Sequence, residues 1–162
     1  MYPTAPAHPL SNVVIMTKKK TGLVFEELYM WHDSGSVSYG SDSVQPLEGW
    51  EHPETKRRFM NLLSVSGLTE TALTPIKARA ATKAEILRFH TERYHDFIVE
   101  ESLKVKGGDG GEMAQFGCGG YKIAALSAGG VLAAVEAVCD PTSKIGNAYC
   151  LVRPPGHHAV AG

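Results

Sequence analysis

Two adjacent histidines, His157 and His158, follow Arg153-Pro154-Pro155-Gly156 directly after the apolar run 148–152. An imidazole ordinarily exchanges its proton near pH ~6.5. Adjacent copies can therefore divide the work of base, acid and electrostatic stabiliser within one reaction. The flanking residues suit that work. Two prolines stiffen the chain, and Gly156 permits a tight bend or a close approach of backbone to a bound molecule. The rings then project from a rigid turn, as a reacting centre that needs close placement requires. A histidine pair in an ordinary surface loop would lack this support.

Other residues with reactive side chains form weaker patterns. His90 and His95 are five apart, which does not place side chains together on a helix face as a spacing of four does. Structural roles are expected for them and for His32 and His52, while His8 belongs to the N-terminal segment. Cys118, Cys139 and Cys150 match no paired metal or redox spacing. An odd number of free thiols points to a reducing, cytoplasmic setting, and Cys139 and Cys150, inside apolar runs, are expected to be buried. No G-x-S-x-G elbow supplies a serine nucleophile, and the glycine-dense stretch 107–120 lacks the lysine of a phosphate-binding loop.

Composition narrows the class further. The chain of 162 residues is 43% hydrophobic with a net charge of −1, without the basic excess of a nucleic-acid module. No continuous apolar run approaches the ~18 residues of a membrane span. The lysines at 18–20 follow the apolar cluster 13–16 instead of preceding it, the reverse of a secretory signal.

The elements that must position the pair can be read from local patterns. Residues 1–20 are expected to form a flexible leader, and 21–162 a domain. "TGLVFEELYMWHD" reads as a first strand reaching Asp33, followed by a long loop of Gly, Ser and Pro up to His52. A helix is expected from Pro53, with Phe59, Leu62 and Leu63 as its apolar face and Gly67 as its stop. A short strand follows in "LTPIKARAAT". Thr82 and Glu85 form a capping box opening a helix through "EILRFH". The next helix, "TERYHDFIVEESLKV", should turn Tyr94, Phe97, Ile98 and Leu103 inward. After the glycine loop, "YKIAALSAGGVLAAVEAV" reads as a helix whose small side chains lie close against neighbours. "AYCLV" reads as a strand apolar on both faces, as in a covered parallel sheet. Strands alternating with helices give an α/β domain around a mainly parallel sheet.

At "RPPGHHA" the sequence resembles the zinc-dependent histone deacetylase superfamily in its class II form, close to bacterial histone deacetylase-like amidohydrolases and acetylpolyamine amidohydrolases. "ELYMWHD", "HPETKRR", "ATKAEILRFHTERYHDFI" and "GGYKIAALSAGG" follow that family's order as well, so the resemblance runs from about residue 22 onward. It implies a three-layer α/β/α fold of the arginase type and hydrolysis of N-acetyl-lysine peptides or acetylpolyamines. His157 and His158 would flank a zinc-bound water, with His158 as the main base and acid and His157 stabilising charge. Zinc would bring the water's pKa towards ~7 and polarise the amide carbonyl. Gly156 would line the substrate site. Arg58 matches an arginine of the channel beneath the site, although an exposed helix arginine accounts for it equally well. Asp109 or Glu112 would be the rim acid that grips the substrate backbone, while the closest alignment puts Gly111 at that position.

One departure matters. The family binds zinc through an Asp-x-His segment and a later aspartate, and none of Asp33, Asp42, Asp96, Asp109 and Asp140 is followed two residues on by histidine. The zinc ligands are therefore expected beyond residue 162, the fold is expected to be incomplete in this chain, and the chain by itself is expected to be inactive. A naturally short, non-catalytic paralogue that binds acetylated ligands or partner chains is the alternative. An incomplete sheet would leave an apolar edge unpaired and allow a homo-oligomer. No direct nucleic-acid or membrane partner is expected.

Overall fold

The computed structural model describes residues 19–34 and 51–162. The leader up to residue 18 and most of the long loop lie outside the described residues. The first strand, β1 (Lys20–Val24), stops well short of Asp33, and Glu27–Trp31 wind into a 3-10 helix. The reason is visible in the burial pattern. Beyond the strand, Tyr29 and Met30 are buried side by side between the exposed Leu28 and Trp31, a grouping that a turn of helix produces and a strand's alternation does not. The turn brings Tyr29 and Met30 onto the core and leaves Trp31 in solvent.

Helix α1 (Pro53–Val65) starts at its proline, with His52 Nδ1 accepting the Glu54 amide at 3.2 Å as an N-cap. Its expected apolar face is not a core face: Phe59 and Leu62 are exposed, and Leu63 is half-buried. Gly67, at φ 70°, breaks the chain into the short helix α2 (Leu68–Thr71). Strand β2 (Leu73–Pro75) follows, and then α3 (Lys83–Ile86), which carries the complete Thr82–Glu85 capping box but spans one turn only. In α4 (Glu92–Glu101) the buried side chain is His95, whereas Phe97 and Leu103 face solvent. The polar His95 is accommodated because both ring nitrogens are used. Nδ1 lies 2.7 Å from Asp96 and Nε2 3.0 Å from the Tyr121 hydroxyl.

The glycine loop contains a small antiparallel pair, β3 (Gly108–Asp109) with β4 (Gln115–Phe116). Helix α5 (Gly120–Cys139) then runs for 20 residues. By length and composition α5 could cross a bilayer, with a mean hydropathy of 1.6, so the expectation that no stretch approaches that length is corrected. Its small residues serve close packing instead. A Cβ on Gly129 would sit 1.9 Å from the Arg79 carbonyl oxygen, and one on Gly130 2.5 Å from the Tyr29 hydroxyl. The last strand, β5, begins at Ile145, inside the expected turn, and runs to Cys150.

β2, β1 and β5 form one parallel sheet in the order β2-β1-β5. Parallel neighbours far apart in sequence need crossovers, and α1 to α5 supply them. Val24, Tyr29 and Met30 pack with Ile123 and Ala134 of α5, and Ala148, Cys150 and Val152 close the same cluster. Tyr149, alternating to the other face, meets the Phe59 ring of α1 at 5.5 Å. α5 thus covers one face of the sheet, and α1 approaches the other at the Phe59–Tyr149 contact without covering it, so that of the three layers expected the one on the α1 side is incomplete: Tyr149 remains half exposed. Cys139 is exposed and Cys150 half-buried, against the expectation of two buried thiols. Cys139 is the last residue of α5, where the helix leaves the core.

Candidate active site

The histidine turn hangs from the carboxyl end of β5 and is fixed on both sides. The Leu151 amide donates to the Val24 carbonyl at 2.9 Å, extending the β1–β5 pairing one residue beyond the strand. The Ser127 hydroxyl of α5 donates to the Pro154 carbonyl at 3.0 Å. Gly156, at φ 78°, turns the chain through a conformation that favours glycine. The Ala159 amide closes the turn on the Gly156 carbonyl at 3.0 Å, and the Thr91 amide holds the Ala161 carbonyl at 2.7 Å. Between these anchors His157 and His158 stand exposed, their ring centroids 4.1 Å apart and their planes at 47°. Paired imidazoles so placed can take a proton from one reacting group and return it to another without moving the backbone.

The residue that sequence reasoning missed is Arg153, only 1% exposed. Its Nη1 donates to the carbonyls of Tyr29 at 3.1 Å and His32 at 3.0 Å, and its Nη2 donates to the Glu51 carbonyl. Burial pulls the guanidinium below its ordinary pKa, while the charges of Glu51 and Asp33 act in the opposite direction. The signal was present as a charge set between an apolar strand and Pro-Pro. Its partners, more than 100 positions away in sequence, were not foreseeable. Beside it lies His32, 7% exposed, whose imidazole is pushed down to about 4 by burial first and then by the Arg153 charge. Its Nδ1 has no hydrogen-bond partner among the described residues.

The remaining candidates separate into two groups. The glycine loop and the histidine turn both attach to the start of α4. Thr91 holds Ala161, and the Tyr94 hydroxyl donates to the Gly110 carbonyl at 2.6 Å. Asp109 uses its carboxylate within its own loop, accepting from the Gly111 amide at 2.8 Å and from Gln115 at 3.3 Å. Glu112, at φ 46°, stands exposed at the loop tip. Arg58 is exposed on α1, and among the described residues no hydrogen bond or ion pair joins it to the histidine turn. His52 caps α1, His90 stacks on Tyr94 at 5.3 Å, and His95 bridges α4 to α5, the structural roles expected of them. Among the described residues, no three His, Cys, Asp or Glu side chains gather to hold a metal ion. The described residues therefore do not by themselves fit the zinc that the resemblance implies.

Residues 50–162 match the model of the histone deacetylase domain. The chain belongs to the histone deacetylase family. It is 39% identical to a histone deacetylase-like amidohydrolase of Pseudomonas aeruginosa over 152 residues, covering 88% of this chain and 38% of that protein. A probable deacetylase of Archaeoglobus fulgidus is 33% identical, over 86% of this chain and 35% of its own length. Among solved structures, the crystal structure of the HDA15 HD domain superposes with a TM-score of 0.72 at 26% identity, covering 88% of this chain and 38% of that one. The chain thus spans less than two-fifths of these relatives. The parallel sheet with its helices is the deacetylase fold, present in part.

Proposed function

We propose that this chain carries the proton-handling part of a deacetylase active site, for hydrolysis of N-acetyl-lysine peptides or acetylpolyamines. The observation that carries the reading is the His157–His158 pair, held at both ends at the carboxyl end of the parallel strand β5. Ligands of open α/β sheets bind in that region. Amide hydrolysis needs a water that loses a proton as it attacks and an amine that gains one as it leaves. His158 is assigned both transfers in turn, and His157 the charge that develops beside the carbonyl carbon. Glu112, exposed at the tip of its loop, is assigned the grip on the substrate backbone in preference to Asp109, whose carboxylate is used by its own turn.

A catalytic zinc site needs about three protein ligands. With no such group among the described residues, the reading routes no step through the metal and places its ligands outside the described residues. The purified 162-residue chain is then expected to bind no stoichiometric zinc in metal analysis and to turn over neither substrate class.

The deciding experiment reads the gene past the codon for Gly162 and assays the protein it encodes. An in-frame Asp-x-His segment and a later aspartate support the reading. In that protein His158→Ala is expected to lower kcat by roughly 10²–10⁴-fold, and His157→Ala by less. A stop codon directly after Gly162, or turnover that survives His158→Ala, overturns it. The first outcome would favour a non-catalytic module that binds acetylated ligands.

A further inference from the structure

We propose that Arg153 is the positioning residue of the tandem-histidine turn, its buried guanidinium locking the segment that carries His157 and His158 to the carbonyls of Tyr29, His32 and Glu51. The proposal takes its functional weight from the reading of the histidines as the reacting pair, but its geometry stands apart from that reading.

Three features point to positioning over simple core filling. The first is the choice of partners. The guanidinium serves main-chain carbonyls 102 to 124 positions away, and the Ser34 hydroxyl at 3.5 Å adds a contact at the outer limit of a hydrogen bond. These residues belong to the 3-10 helix, the chain just after it and the turn before α1, so one side chain fastens three segments to the exit of β5. The second is the unfavourable burial. A desolvated cation contributes little to stability that a methionine or leucine would not, and Nε is left without a hydrogen-bond partner among the described residues. A planar fork with several fixed donors can register separate segments against one another, which a point charge or an apolar side chain cannot. The third is location. Arg153 lies between the Leu151 amide, fixed on β1, and the Pro154 carbonyl, fixed on α5. It supplies the third direction of restraint, four residues before the first histidine. The carbonyls of Tyr29 and His32 also sit at the negative end of the 3-10 helix, which favours a cation there.

The test compares the 162-residue chain with its Arg153→Lys variant, which keeps the cation and loses the fork. Amide exchange and the imidazole proton signals are followed by NMR. The expected result is local. The Ala159 amide exchanges about tenfold faster or more, and the His157 and His158 signals shift, while amides inside α5 stay within about twofold. Unmoved Ala159 and histidine signals would overturn the proposal, as would a uniform acceleration through α5 and β1. If the lysine variant does not fold, native-state exchange of the unsubstituted chain in denaturant decides. The Tyr29 and Ala159 amides must then open in one step, and opening in separate steps overturns the proposal. None of these readouts uses turnover. Arg153 can therefore fail while the histidine reading stands, and loss of the histidine reading leaves the lock to be judged by itself.

Discussion

At the scale of single residues, the clearest consequence of burial falls on His32. Its imidazole is enclosed beside the Arg153 guanidinium and is held down at about 4, against an ordinary 6.5. In the unfolded chain it accepts a proton near its ordinary value, so below that pH the unfolded state binds more protons than the folded one. Stability is then complete above pH 6.5, falls as the pH drops towards 4, and levels off below. The shift corresponds to about 3 kcal/mol. Glu85, held down to about 2 chiefly by its hydrogen bond to Arg79, loses its contribution only below its own ordinary value of 4.5. The two losses therefore occupy largely separate windows. Urea unfolding from pH 7.5 to 4 is expected to show the first loss in the natural sequence and a much shallower one in His32→Asn. Equal slopes in the two proteins would mean that His32 is not the group responsible.

Elements differed in how openly the sequence announced them. The capping box at Thr82–Glu85, Pro53 at the head of α1 and the small-residue character of α5 are local features, set by residues a few positions apart. All three could be read directly. The histidine turn was legible for the same reason, since Pro154, Pro155 and Gly156 adjoin it. The 3-10 helix Glu27–Trp31 was not, because a strand and a short helix cover an apolar run of that length equally well until the core decides which residues face it. The β3–β4 pair escaped notice because strands of two residues have no periodicity to read. His95 in place of Phe97 on the inner face of α4 depends on Tyr121, 26 positions away. Packing at α5 gives the sharpest test at this scale. A methyl group on Gly129 would collide with main chain at Arg79, which cannot swing aside. Gly129→Ala is expected to destabilise the chain by about 2–4 kcal/mol in denaturant unfolding. Gly111→Ala meets open space and only an unfavourable φ of 81°, so about 1 kcal/mol is expected there. Similar losses at the two sites would refute the close contact at Gly129.

The whole molecule presents a sheet whose order, β2-β1-β5, leaves the strand bearing the histidine turn at one side. Among the described residues no strand pairs with the outer edge of β5. Apolar side chains stand exposed on both flanking layers, with Phe59, Leu62 and Val65 on α1 and Val131 and Val135 on α5, and Tyr149 of the strand itself is half exposed. An open edge with apolar surroundings is a template for another chain. The purified 162-residue chain is therefore expected to associate as its concentration rises, which sedimentation velocity would record as a growing weight-average mass. A charge on the strand opposes such pairing, so Tyr149→Lys is expected to move the mass back towards that of a monomer. Circular dichroism should remain unchanged, because Tyr149 is half exposed and stands outside the buried core cluster. A chain that stays monomeric at every accessible concentration would show that the edge is not available for pairing. Association that ignores Tyr149→Lys would place the contact on α1 or α5 instead of on β5.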